Sequence, residues 1–156
     1  MAQQINYMNT SAQQSAERRL GTQDLVEKLL AERREMLVLF CRVAGLEPYT
    51  AERPTIDLLQ EFCQVLVDYS AFGHFEIYQR IASGHERREQ VIAVAEQVYP
   101  RIAEASETAV DFNDKYDAGD HAVVLADLPH DLSVLGEELA MRVEAEDLIV
   151  SALLAR

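Results

Sequence analysis

The chain has 156 residues, 49% of them hydrophobic, with a formal net charge of −13. That length and composition fit one domain with a single core and exclude a disordered chain. The charge argues against direct nucleic-acid binding, which needs clustered Lys and Arg.

Residues 1–16 are rich in Gln, Ser and Asn and read as a flexible N-terminal tail ahead of a helical domain over 17–156. A short helix over "SAQQSAERRL" is expected to end at Gly21. The next helix, "TQDLVEKLLAERREMLVLFCRVAGL", has Thr22 as its expected cap, Asp24 in its first turn and Gly45 as its stop. Its Leu25, Leu29, Leu30, Met36, Leu37, Phe40 and Val43 recur at spacings of three and four. "EPYTAERP" is a loop with a proline near each end.

The second long helix is expected from Thr55 to Ser83, with Gly84 after it, and a third from Glu86 to Tyr116. Pro100 should kink the third, because it removes a backbone donor and crowds the preceding turn. "DAGD" makes a turn, and His121 to Leu154 reads as a last helix bent near Pro129. No period-2 apolar run with turn signals occurs, so no sheet is expected. The pattern is all-α, an antiparallel four-helix bundle with an extra N-terminal helix or arm.

Charge is unevenly spread. Residues 1–54 carry 7 acidic and 7 basic side chains, whereas residues 103–147 carry 13 acidic and 2 basic. Such a one-signed half suits a basic partner as well as plain solubility. The apolar helical patterns around Cys41 and Cys63 point to buried free thiols rather than a disulfide. No secretion signal or membrane span is evident, so a cytoplasmic protein is expected.

The stretch "LVDYSAFGHFEIYQR" is the most informative. Leu59, Cys63, Leu66, Ile77 and Ile81 fall on one side of the helix, which is the core face. Asp57, Glu61, Gln64, Asp68 and Gln79 lie opposite. Phe75 falls inside that polar face, Phe72 lies on its flank and Tyr78 sits at the boundary. An aromatic on a polar face is either covered by another segment or serves as a binding anchor. Gly73, unfavourable in mid-helix by about 1 kcal/mol relative to Ala, suggests close approach by a neighbour. In the last helix, Glu146 interrupts the apolar stripe of Leu135, Leu139, Val143, Val150 and Leu153. A carboxylate there must be paired or protonated, and a network of His74, Arg142 and Glu146 is expected.

Enzyme readings are weak. "HFEIY" and "RVEAED" look like degenerate hemerythrin helices, which raises the di-iron question. One inward His and one inward Glu cannot supply such a site, so no metal or cofactor is expected. Ser70 and His74 stand one turn apart, but nothing supplies an oxyanion hole. There is no Gly-rich phosphate loop or nucleophile elbow. A binding protein without catalytic residues is the reading.

"EFCQVLVDYSAFGHFEIYQRI" resembles the Rsd/AlgQ family of bacterial anti-sigma factors, whose signature helix reads FCQ-x-LVDY-x-x-x-GHF-x-IY-x-R. "LVEKLLAERREMLV", "VYP" and "EELAMRVEAED" agree as well, so the likeness runs from about Ala16 to the C-terminus. The resemblance implies binding to region 4 of the primary sigma factor, which reads the −35 element and docks on core polymerase. Sequestering it favours alternative sigma factors in stationary phase. The resemblance also brings in the phosphocarrier HPr as a partner, and a degenerate hemerythrin-like bundle regulating a metabolic partner such as HPr is the alternative function. Asp68, Phe72, Phe75 and Tyr78 are the candidate sigma-binding residues. Tyr69 and Gly73 are assigned to packing, and the protein is expected to be a monomer or weak dimer.

Overall fold

The computed structural model describes residues 2–46, 55–119 and 121–155, the first twenty as backbone apart from Gln13. The proline-flanked loop expected over 47–54, and the last residue of the "DAGD" turn, lie outside the described residues. All regular secondary structure among the described residues is helical. α1 spans Ala2–Ala44, α2 Thr55–Phe72, and a π-helical segment Gly73–Tyr78 leads into α3, Gln79–Ala82. α4 spans Glu89–Tyr116 and α5 Leu128–Leu154.

Cross-chain contacts fix the topology as up-down-up-down. Phe40 meets Phe62 while Lys28 meets Phe72, so α1 and α2 run antiparallel. Gln60 binds Tyr116 at the far end of α4. Arg142 meets Ser106 midway along the α4–α5 pair, and Arg88 reaches the carbonyl of Leu153. Arg33 pairs with Asp147, and Gly136 lies against the Phe40 ring, which closes α5 onto α1.

One end of the core is aromatic. The Phe62 ring sits between Phe40 and Phe112, and Phe112 in turn meets Tyr116. A Cβ at Gly136 would lie 2.9 Å from Phe40 Cζ, so only glycine lets α1 approach α5 this closely. Leu59, Leu66, Leu135, Leu139 and Ile149 fill the space between the helices.

The ends of the elements follow their sequence signals with three exceptions. Gly45 and Gly84 have positive φ and close αL stops, with Leu46 N–H donating to Cys41 and His85 N–H to Arg80. The break expected at Gly21 is absent, because α1 runs unbroken through Gly21 and Thr22. Gly21 is exposed with open space around it, and its Gln, Glu, Lys, Leu and Ala neighbours are strong helix formers. The third helix starts at Glu89 rather than Glu86, because the Glu86 carboxylate accepts from the Arg87 and Arg88 amides and shapes the turn instead. α5 starts at Leu128 and Pro129 sits in its first turn, where a missing N–H costs nothing, so this proline opens the helix rather than bending it. α4 continues past Pro100 to Tyr116.

Candidate interaction surface

The site is built around a polar layer in an otherwise apolar core. Arg142 and Glu146, one turn apart on α5, are both completely buried. Their side chains approach at 3.7 Å from Nε to Oε1. The Tyr69 hydroxyl of α2 donates to Glu146 Oε1. Arg142 Nη1 donates to the Ser106 hydroxyl of α4 at 2.9 Å, and its guanidinium lies 4.8 Å from the centre of the Tyr69 ring. Four residues from three helices are therefore tied together. Burial pushes the Glu146 carboxyl above its ordinary range and holds the Arg142 guanidinium below its own.

This layer explains Gly73. A Cβ there would lie 2.9 Å from Arg142 Nη2, 3.2 Å from the Tyr78 ring and 3.7 Å from Leu29 Cδ1. The helix bends its hydrogen bonding at this point, and the Gln79 N–H donates to the His74 carbonyl five residues back. A π ring holds one residue more than an α ring, so every later side chain lags in phase. Tyr78 thereby turns inward, where burial raises its hydroxyl to about 12. Gly73→Ala is expected to lower stability by about 1–2 kcal/mol, because overpacking against a fixed guanidinium exceeds alanine's helix preference. Thermal unfolding checks this, and a variant melting above the parent would show that Arg142 yields freely.

The outer face of α2 and the π segment carries the other candidates. Asp68 is exposed and accepts from Gln64 Nε2 at 3.1 Å. Phe75 is 59% exposed, with its ring edge-on to His74 at 4.8 Å. Across the seam on α1, Glu32 lies close enough to feel both Lys28 and Asp68, and burial pushes its carboxyl upward. Further along the same seam an open groove is lined by Arg34, Glu35, Arg42 and Glu61.

Three candidates need correction. Phe72 is 8% exposed and Tyr78 3%, so neither stands on the surface as expected. Phe72 is covered by Lys28, whose ammonium lies 4.6 Å from the ring centre. Tyr78 is carried inward by the π segment, which an ideal helical projection does not contain. His74 is exposed beside Phe75 and takes no part in the Arg142–Glu146 network. Tyr69 and Ser106 complete that network instead. A fully buried tyrosine needs a partner for its hydroxyl, and that requirement was the available signal for Tyr69. Nothing in the sequence marks Ser106.

Among the described residues, no three His, Cys, Asp or Glu side chains gather as a metal site. No helix there is long and apolar enough to cross a membrane. Cys41 and Cys63 are free, and burial raises the Cys63 thiol to about 12, which leaves it unreactive.

Residues 8–154 match the family described as regulator of RNA polymerase sigma(70) subunit, Rsd/AlgQ. The chain belongs to the Rsd/AlgQ family. A "Regulator of sigma D" from Yersinia enterocolitica is 32% identical over 136 residues, covering 83% of this chain and 80% of that protein. A "Regulator of sigma D" from Shigella dysenteriae is 33% identical over 138 residues, covering 86% of each. No solved structure matches significantly. The family match takes in all of the polar layer and the Asp68–Phe75 face.

Proposed function

We propose that this Rsd/AlgQ chain regulates the primary sigma factor by binding its region 4, without catalysis and without contacting DNA. The observation that carries the reading is Phe75. It is an aromatic left 59% exposed on a helix that buries Phe62, Tyr69, Phe72 and Tyr78. Exposed aromatics with charged neighbours are the usual centres of protein interfaces. Relatives of this chain are named regulators of sigma D, which supports a sigma factor as the partner. Region 4 carries a basic DNA-contacting surface, and the net charge of −13 suits a partner of that sign. In this reading Asp68 and Phe75 face the partner, while Phe72 and Tyr78 support the face from beneath.

Calorimetry with isolated region 4 tests the proposal. Micromolar or tighter binding is expected, with association slowing as salt rises, because acidic attraction is screened within about 8 Å at physiological salt. Absence of binding by the parent at micromolar concentration rejects region 4 as the partner and makes HPr the next protein to titrate.

A further inference from the structure

The structure assigns a function to the extra residue stored in the π segment Gly73–Tyr78: it sets Phe75 apart from Asp68 around the helix, so that the two anchors engage different parts of one partner. The inference rests on the region 4 reading above.

At about 100° per residue, an unbroken α-helix would place Phe75 within about 20° of Asp68, stacked on the same stripe. It would also point Tyr78 about 120° away from Leu66, out of the core. The structure buries both Leu66 and Tyr78. The difference is the π segment, whose i→i−5 bond runs from Gln79 N–H to the His74 carbonyl. Across the whole segment the lag amounts to about one residue, or about 100°. Phe75 sits at its midpoint and carries about half of that lag, which swings it to about 70° from Asp68. Asp68 then lies toward the α1 seam, where Glu32 senses its charge, while Phe75 has its ring edge-on to His74.

The device is held from inside. π turns have poor hydrogen-bond geometry and persist only where tertiary contacts compensate. Here Gly73 lets the helix enter the turn against the Arg142 guanidinium, and the Tyr78 ring closes over the same point. Arg142 is itself fixed by Ser106 and by the Tyr69 ring. The arrangement keeps buried polar atoms without hydrogen-bond partners among the described residues, namely Arg142 Nε and Nη2, Glu146 Oε2 and the Tyr78 hydroxyl. A plain α-helix one residue shorter would keep Tyr78 in core phase without the poor hydrogen-bond geometry of a π turn.

Deleting Glu76 builds that helix. Glu76 is exposed, and its removal turns the π ring into an α ring while leaving Ile77, Tyr78 and Ile81 in their present core phase. The deleted chain should fold with helicity and melting temperature at or above the parent's. Its Phe75 returns to the Asp68 stripe, and affinity for region 4 should fall about tenfold or more, the scale of one displaced anchor. Phe75→Ala, measured alongside, establishes that Phe75 is a contact. A folded deletion variant that binds as tightly as the parent overturns the inference and leaves the region 4 reading standing. A parent that does not bind region 4 overturns both. A deletion variant that fails to fold also overturns the inference, because it shows the extra residue to be needed for the fold. Glu76→Ala, which keeps the residue count, should bind like the parent. Weakening by that substitution equal to the deletion's would assign the effect to the Glu76 carboxylate and not to phase.

Discussion

Glu146→Ala is expected to destabilise the protein by about 3–4 kcal/mol, within the roughly 3–5 kcal/mol for removing one partner of a buried polar pair. The side chain is fully buried, so its loss leaves a hole in the core. Tyr69 loses the acceptor for its hydroxyl, and a buried orphan donor alone costs about 1–3 kcal/mol. Arg142 keeps Ser106 but loses the carboxyl group beside its Nε. Denaturant unfolding followed by circular dichroism measures the change. The double variant Arg142→Met with Glu146→Leu should recover part of it, since no unpaired guanidinium is left buried, while the Tyr69 hydroxyl still lacks its acceptor. A single variant as stable as the parent would mean that the polar layer contributes nothing to holding the helices together.

The second large effect is expected at the surface. Phe75→Ala should weaken binding to region 4 by about 2 kcal/mol or more, the threshold for a hot spot. Asp68→Lys should weaken it at least as much, because it sets a like charge against a basic surface. Neither substitution touches a buried side chain, so the circular dichroism and melting of both variants should match the parent. The two should also differ in character. Asp68→Lys should lose part of the parent's salt dependence, while Phe75→Ala should keep it and raise the dissociation rate. Affinity left intact by both substitutions would remove this face from the interface.

Together these variants separate what holds the bundle from what it presents. Glu146 and Arg142 sit behind the helix that carries Asp68 and Phe75, with Tyr69 and Gly73 as the points of contact. A change in the polar layer therefore reaches binding through stability and through the shape of the π segment. A change at Asp68 or Phe75 reaches it directly.

The sequence by itself determined the helical class, the stops at Gly45 and Gly84, the core face through Leu59, Cys63, Leu66, Ile77 and Ile81, and the meeting of Arg142 with Glu146. These depend on local spacing, on positive φ at glycine, or on two residues one turn apart, and a single strand of letters carries all of that. It also placed Asp68 and Phe75 on the exposed side. Tertiary structure alone decided the fates of Phe72, Tyr78 and His74. Phe72 is covered because Lys28 of another helix lies over it. Tyr78 is buried because Arg142 of α5 stands beside Gly73 and the helix takes up one extra residue in passing it. His74 leaves the polar layer because Tyr69 and Ser106 already occupy it. In each case a deciding group, Lys28, Arg142 or Ser106, comes from a different helix. Helical periodicity records where a side chain points on its own helix, and it holds no record of what a neighbouring helix brings to meet it.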